Sequence, residues 1–113
     1  MMESLPFAAW FKDNEGKFTQ VNELFLNFTG KERSQVIGKG DAEVFDPEEA
    51  VRIEEGTTEV LKSGKISEST FSKKRRIIRT VHFPIRDEQG ILTGTGGYRE
   101  DVTNLSDSLQ ALH

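Results

Sequence analysis

Residues 66–98 are the part of the sequence that most limits the fold. Apolar and polar residues alternate there with a period of two in three segments, 66–71, 76–85 and 91–98. The polar tetrad DEQG at residues 87–90 separates the last two segments, and a tetrad ending in Gly between β-forming runs is typical of a hairpin. Three consecutive antiparallel strands are therefore predicted in this half of the chain.

The N-terminal half is predicted to contain a second hairpin and a helical region. Residues 7–12 and 17–21 are β-forming runs joined by the polar turn DNEG, which again indicates a hairpin. Asn22 stands at the N-cap position of a helix that follows it. Three helical segments are predicted, at residues 23–28, 34–37 and 47–63, with a loop containing Gly38, Gly40 and Asp41 between the second and the third.

The segment 47–63 has the strongest helix signals in the chain. Asp46 is a favourable N-cap, Pro47 suits the first helical position, and Glu49 completes a capping-box arrangement. Gly64 is placed to end the helix. The predicted order is β-β-α-α-α-β-β-β, which indicates an α+β fold with a single five-stranded antiparallel sheet and helices packed on one face.

The composition limits the functions that the chain can have. There is no cysteine, which excludes disulfides, zinc–thiolate sites and thiol nucleophiles. No apolar run approaches the ~18 residues of a membrane span, and the N-terminus lacks the basic region of a signal peptide. We expect a cytoplasmic domain without membrane contact of its own, in a parent protein that can be membrane-anchored. No recognisable catalytic motif is present, so we expect a non-catalytic domain with no metal site.

One basic run, KKRRIIR at residues 73–79, contrasts with the 19 acidic and 15 basic residues of the whole chain. DNA binding through this run would weaken steeply with salt, but the net charge of -4 disfavours a nucleic-acid partner. Lys73, Lys74 and Arg75 are expected at a solvated hairpin tip that protects a sheet edge. Arg79 alternates onto an apolar face, where we expect it to pair with a neighbouring carboxylate.

The first predicted strand is apolar on both of its faces. Trp10 lies on the opposite pleat from Phe7, Ala9 and Phe11. One face packs against the helices, so the other requires a separate cover. A second copy of the chain is the expected cover, and the sequence therefore predicts a homodimer.

The C-terminal segment changes pattern again. Four apolar residues are spaced three, four and three apart, as in the seam of a coiled-coil helix. So short a seam is not stable by itself, and the sequence predicts a domain at residues 1–103 followed by the start of a signalling helix at residues 104–113. The seam residues are Val102, Leu105, Leu109 and Leu112.

Four segments occur in a characteristic order, WFKDNEGKFTQVN, FLNFTGKERSQVIGKG, DAEVFDPEEA and PIRDEQGILTGTGGYREDVT. Together they resemble the PAS sensory domain family, also called the sensory box, from about Leu5 to Leu112. The last segment is similar to the family's strand ending in Arg-Asp-Ile-Thr. Here Glu100 is inserted between Arg99 and Asp101, which predicts a small bulge at the strand end.

The resemblance implies a dimerising input module of a signal-transduction protein. A sensor histidine kinase is the expected parent, with its effector domain C-terminal to this chain. The alternative is a ligand-free interaction module of a cyclic-dinucleotide (GGDEF/EAL-type) enzyme or of a transcriptional regulator. The residues expected to relay the signal are Asp101, Thr103, Leu105 and Leu109.

The cofactors known in the family can be compared with this sequence. The light-sensing flavin members form an adduct with a thiol, and this chain has no cysteine. Haem-binding members usually ligate iron through a His on the long helix, and residues 47–63 contain no His. His82 lies on a strand, where a structural role is expected. A non-covalent flavin or a small organic ligand remains open.

A ligand pocket, if the interior holds one, is expected between the helices and the inner face of the sheet. The alternative is that the aromatic residues simply fill the core. Gly96, with its neighbours Gly94 and Gly97, indicates a close backbone approach or space for a ligand. The pocket candidates are Phe25, Phe28, Val44, Phe45, Val60, Phe71, Arg79, His82, Gly96 and Tyr98.

Overall fold

The structure is a computed structural model, and it describes residues 5–104. Its elements are β1 (Ala8–Asp13), β2 (Phe18–Val21), α1 (Glu23–Thr29), a short 3-10 helix (Arg33–Gln35), α2 (Asp41–Val44), α3 (Pro47–Ser63), β3 (Ser67–Lys73), β4 (Arg76–Arg86) and β5 (Leu92–Asp101). The five strands form one antiparallel sheet in the order β2-β1-β5-β4-β3. This architecture confirms the predicted α+β fold. Within residues 5–104, no helix is both long and apolar enough to span a membrane.

The helix ends follow the capping residues in the sequence. The buried side chain of Asn22 accepts hydrogen bonds from the backbone N–H of Phe25 and of Ala9, which fixes the start of α1 against β1. Asp46 caps α3 by accepting from the backbone N–H of Glu49 at 2.9 Å. The predicted capping box is only half formed, because the side chain of Glu49 turns towards two arginines instead of back to Asp46.

The region between α1 and α3 differs from the sequence prediction. The segment predicted as a helix at residues 34–37 is the 3-10 helix Arg33–Gln35, and the predicted loop contains the helix α2. Gly40 takes the N-cap position of α2, and Asp41 turns its carboxylate inward to meet Lys12. This long-range ion pair is invisible to local patterns, which explains why α2 was predicted as loop.

The hairpin between β3 and β4 turns through two residues. Lys74 and Arg75 have φ values of 50° and 66°, the left-handed conformation that a type I′ turn requires at both central positions. Lys73 belongs to β3, where it pairs with Arg76. The predicted tip at residues 73–75 was therefore too long by one residue.

The pairing of β4 with β5 continues without interruption to Asp101. The bulge predicted beside Glu100 is therefore wrong. Glu100 is an ordinary strand residue opposite Arg79, and the register shifts at the other end of the pair, between Ile85 and Arg86.

Aromatic rings fill the space between the inner face of the sheet and the helices. Trp10 and Phe25 are 0% exposed, and Phe18 is 1% exposed. The ring centroid of Phe25 lies 5.7 Å from that of Trp10 and 5.4 Å from that of Phe18. Buried aromatic rings of this size dominate the energetics of a core.

Two glycines allow aromatic rings to lie directly against the backbone. A Cβ on Gly97 of β5 would lie 2.5 Å from the Trp10 ring, and a Cβ on Gly56 of α3 would lie 2.2 Å from His82 Nδ1. Both distances are shorter than real side-chain contacts, so neither position accepts a larger residue without a shift. The His82 ring is consequently packed directly against α3.

We expect Gly56→Ala to lower the free energy of unfolding by about 1–3 kcal/mol, because the added methyl overlaps the His82 ring and overpacks the core. Urea unfolding followed by Trp10 fluorescence measures this change. In a His82→Ala background the ring is gone, and the same substitution should be neutral or stabilising because Ala favours helix. Equal destabilisation in both backgrounds would show that the ring is not the cause.

Candidate functional site

A buried ion pair joins the sheet to α2 and α3. The side chain of Lys12 is 0% exposed, and its Nζ lies 2.6 Å from Asp41 Oδ1 and 3.1 Å from Thr57 Oγ1. Burial lowers the pKa of Lys12 and raises the pKa of Asp41, while the attraction between the two charges opposes both shifts. Mutual pairing keeps these charges tolerable in the interior. Neither Lys12 nor Asp41 was predicted from the sequence as a site residue, although the period of two places Lys12 on the same face of β1 as Trp10.

Several polar atoms beside this pair have no hydrogen-bond partner among the described residues. They are Trp10 Nε1, both ring nitrogens of His82, and Thr95 Oγ1. The rings of Trp10 and His82 lie 5.8 Å apart, and each residue pairs with Gly97 in the sheet. Burial, with a smaller effect from the charge of Lys12, lowers the pKa of His82 to about 4. His82 is therefore neutral at physiological pH, and its close packing against Gly56 favours a structural role.

A cleft of about 150 Å³ lies between α1, the start of α3 and the ends of β3 and β5. Three predicted pocket residues, Phe28, Val44 and Phe45, line this cleft. Phe25 and Val60 are 0% exposed and lie in the packed core instead. The other lining residues are Thr29, Asp46, Glu49, Lys73 and Arg99.

Charged side chains of alternating sign extend from the wall of the cleft that Arg99 and Glu49 form. The guanidinium of Arg99 lies 3.9 Å from the centre of the Phe28 ring, a cation–π contact. Arg99 Nε is 3.4 Å from Glu49 Oε1, and Glu49 Oε2 is 3.2 Å from Arg52 Nη1. The guanidinium of Arg52 lies 4.1 Å from the Phe71 ring. Phe71 therefore packs against Arg52 and does not line the cleft.

Three of the predicted pocket residues face away from the helices. Arg79, Gly96 and Tyr98 lie on the outer face of the sheet, because the inward positions of β4 and β5 are taken by residues such as His82 and Gly97. Their predicted place in an interior pocket is wrong. The prediction was wrong because the sequence alone does not specify which face of each strand meets the helices.

The expectation that Arg79 pairs with neighbouring carboxylates is confirmed. Its Nε donates to Glu68 at 2.7 Å, and its Nη1 donates to Glu100 at 3.1 Å and to the Tyr98 hydroxyl at 3.4 Å. Hydrogen bonding to these groups raises the pKa of Arg79, and the pKa of Glu68 is lowered in return. The outer face thus carries an ion-paired strip beside its apolar part.

Asp101 and Thr103 form a compact junction at the end of β5. Asp101 Oδ1 accepts from the backbone N–H and the hydroxyl of Thr103, at 3.0 and 2.6 Å, and Asp101 Oδ2 accepts from Arg76 Nε at 2.8 Å. Thr103 Oγ1 in turn accepts from the backbone N–H of Ile77. These bonds, chiefly those from Thr103, lower the pKa of Asp101 to about 2. Leu105 and Leu109, also predicted to relay the signal, lie outside the described residues.

The apolar part of the outer face forms a groove of about 340 Å³. Phe7 stacks on Tyr98 with ring centroids 4.4 Å apart, and Phe11 meets Phe83 edge-on at 6.4 Å. A Cβ on Gly96 would lie 2.4 Å from the Phe83 ring, so the absence of a side chain there leaves the space that the ring occupies. As for metal binding, residues 5–104 contain no suitable group of three or more His, Asp or Glu side chains.

Comparison with known proteins gives one family match and one characterised relative. The sequence profile described as the PAS fold matches residues 2–107. The chain is 27% identical over 103 residues to the methanogenesis regulatory histidine kinase FilI of Methanothrix harundinacea. That match covers 88% of this chain but only 12% of the length of the relative.

Solved structures resemble the whole described fold. A sensory box sensor histidine kinase from Vibrio cholerae has a TM-score of 0.77 at 24% identity, covering 90% of this chain and 86% of that chain. The VqmA dimer of Vibrio cholerae, solved in the absence of its target DNA, has a TM-score of 0.75 at 22% identity, covering 91% of this chain and 49% of that chain. These likenesses show the fold.

We expect the stability to depend on pH through His82. The unfolded chain binds a proton below about pH 6.5, whereas the folded chain resists it down to about pH 4. The unfolded state therefore binds more protons in this window, and stability is lost as the pH falls, by about 2 kcal/mol between pH 7 and pH 4.5. Urea unfolding at both pH values measures the loss.

His82→Leu is expected to abolish most of this pH dependence while leaving stability at pH 7 similar, because the unsatisfied ring nitrogens are removed. Asp101→Asn is the control. Its carboxylate titrates below this window, so the variant should keep the slope of the unsubstituted chain. An unchanged slope in His82→Leu would contradict the assignment.

Proposed function

The chain belongs to the PAS family, and we propose that it is the sensory input module of a sensor histidine kinase in a two-component phosphorelay. The junction of Asp101 and Thr103 carries this proposal, because it ties the segment that leaves the domain to the edge of the central strand. The relative FilI, a histidine kinase, supports the parent activity. Catalysis is assigned to the parent protein, and the domain itself is proposed to be non-catalytic and cytoplasmic.

The cleft beside Arg99 is the proposed sensing element. Its volume of about 150 Å³ is close to that of a cavity known to hold benzene. The three fused rings of a flavin exceed that volume, and no His lines the cleft to ligate haem. The proposed signal is therefore a small organic molecule. Domain limits at residues 1–103, with a signalling helix from residue 104, complete the proposal.

The strand β5 connects the cleft with the junction. Arg99 and Asp101 are two residues apart on β5, so their side chains project from the same face of the strand. A ligand that repositions Arg99 would displace the end of β5 and the hydrogen bonds of Thr103. A small shift of this kind is sufficient to bias a helix between two arrangements in a dimer.

The outer face is proposed as the contact with a second copy of the chain. Its groove is mostly apolar, and apolar sheet faces of this kind are normally covered. The flanking strip of Arg79, Glu68 and Glu100 offers both signs of charge, which suits a self-complementary contact. The similar fold of the VqmA dimer supports a homodimer.

A second candidate function is a ligand-free interaction module. The observation that favours it is the close packing of Trp10 and His82 against Gly97 and Gly56, which leaves the centre of the domain full. Such a module would relay only a dimer rearrangement, in a transcriptional regulator or a cyclic-dinucleotide enzyme. We do not propose a nucleic-acid contact by this domain, since Arg76 and Arg79 of the basic run are paired with carboxylates.

The parent activity is tested with the full-length protein and labelled ATP. We expect phosphohistidine, recognised by its stability in base and lability in acid. Thr103→Val removes the hydrogen bonds to Ile77 and Asp101, and we expect it to change the phosphorylation level several-fold. Thr70→Val, an exposed strand position, is the control. Absence of phosphohistidine, with DNA binding or cyclic-dinucleotide synthesis instead, would favour the second candidate.

The dimer contact is tested by placing a charge in the groove. Phe83→Glu is expected to weaken self-association at least tenfold in sedimentation equilibrium, because a carboxylate would be buried in an apolar contact. Val51→Glu introduces the same charge on the exposed side of α3 and should leave association unchanged. A monomer at high concentration for the unsubstituted chain, or equal effects of both variants, would contradict this contact.

A further inference from the structure

The guanidinium of Arg99 is held in position but makes no hydrogen bond within residues 5–104. Its contacts there are the Phe28 ring at 3.9 Å and Glu49 Oε1, 3.4 Å from Nε. The side chain is only 21% exposed, and a guanidinium carries five N–H donors. Its Nε is buried without an acceptor in the described residues, and a buried donor of this kind is costly. The cleft therefore presents a preoriented cation that is suited to a carboxylate.

Glu49 shows the complementary pattern on the same wall. Its side chain is 7% exposed, and its Oε1 accepts no hydrogen bond from a described residue, while its Oε2 accepts one from Arg52. A buried carboxylate oxygen of this kind is suited to an N–H donor. A ligand at this end of the cleft would therefore satisfy both residues if it carried an acceptor for Arg99 next to a donor for Glu49.

The charges that line the cleft sum to zero. Asp46 and Glu49 are acidic, and Lys73 and Arg99 are basic. A simple anion or a simple cation would leave one uncompensated charge in a partly desolvated space, which is unfavourable. A ligand that carries one charge of each sign leaves the sum at zero and meets both kinds of side chain.

The size of the cleft restricts the ligand further. A cavity of about 150 Å³ can hold benzene. Benzene and alanine have the same number of non-hydrogen atoms, about six each. Phe28 and Phe45, with ring centroids 6.0 Å apart, and Val44 supply an apolar wall for a short aliphatic group.

We propose that this cleft binds a small zwitterion of the α-amino acid type, with its carboxylate on Arg99 and its ammonium group on Glu49. The inference rests on the proposed sensing function and specifies its ligand class. Binding would insert the ligand between Arg99 and Glu49. The Nε–H of Arg99 would then donate to the ligand's carboxylate, and Glu49 Oε1 would accept from its ammonium group. Lys73, at the exposed rim of the cleft, would attract the carboxylate during entry.

The test titrates the 113-residue chain with L-alanine and with two molecules that each lack one of its charges. Propionate lacks the ammonium group, and ethylamine lacks the carboxylate. Calorimetry gives the affinities, and the amide NMR signals of Glu49 and Arg99 locate the binding. We expect alanine to bind at least tenfold more tightly than either probe, with glycine and serine closer to alanine than to the probes.

Substitutions identify the two contacts. Arg99→Gln and Glu49→Gln are each expected to weaken alanine binding at least tenfold, and Arg99→Gln should reduce the discrimination between alanine and ethylamine. Arg75→Gln, at the exposed hairpin tip, is the control and should bind as the unsubstituted chain does. Thermal unfolding of each variant shows that it is folded, and Glu49→Gln serves should Arg99→Gln fail to fold.

Equal binding of alanine and propionate, no binding of any of the amino acids, or binding unaffected by both substitutions would overturn the zwitterion proposal. These results are distinguishable from a failure of the sensing function. Propionate or ethylamine bound at the same amide signals would keep the cleft as a sensor of another ligand class. The phosphohistidine assay decides the parent activity independently.

Discussion

The rest of the structure depends on β5 being hydrogen-bonded on both sides, to β1 and to β4. Residues of this strand line the outer groove, the cleft and the junction. Gly97 lies beneath Trp10, Tyr98 faces the outer groove, and Arg99 forms the wall of the cleft. Asp101 then forms the junction with Thr103 at the end of β5.

Charged groups in the interior join elements that are distant in the sequence. Replacing a buried ion pair with apolar residues is often neutral or stabilising, whereas removing one partner is strongly destabilising. The pair of Lys12 with Asp41 fixes α2 against the sheet, and the pair of Arg99 with Glu49 fixes β5 against the start of α3. The first pair is sealed from solvent, whereas the second borders the cleft that we propose as the sensing element.

The sequence was sufficient to predict features that depend on neighbouring residues. Strand periodicity, the caps Asn22 and Asp46 and the order of the elements follow from local patterns. It did not predict α2, because that helix depends on the distant contact of Asp41 with Lys12. It also placed Arg79, Gly96 and Tyr98 in the interior. A sequence pattern with apolar residues on both faces of a sheet does not reveal which face meets the helices, and the aromatic groove on the outer face made the two faces alike.

The central claim is that the cleft and the junction are coupled through β5, and amide hydrogen exchange in the Arg99→Gln variant tests it most directly. The account predicts several-fold faster exchange at the N–H of Ile77 and of Thr103, whose hydrogen bonds hold the junction. Exchange at the N–H of Asn22, bonded to Ala9 at the far side of the sheet, should not change. Unchanged exchange at Ile77 and Thr103, or equal acceleration across the whole sheet, would contradict the account.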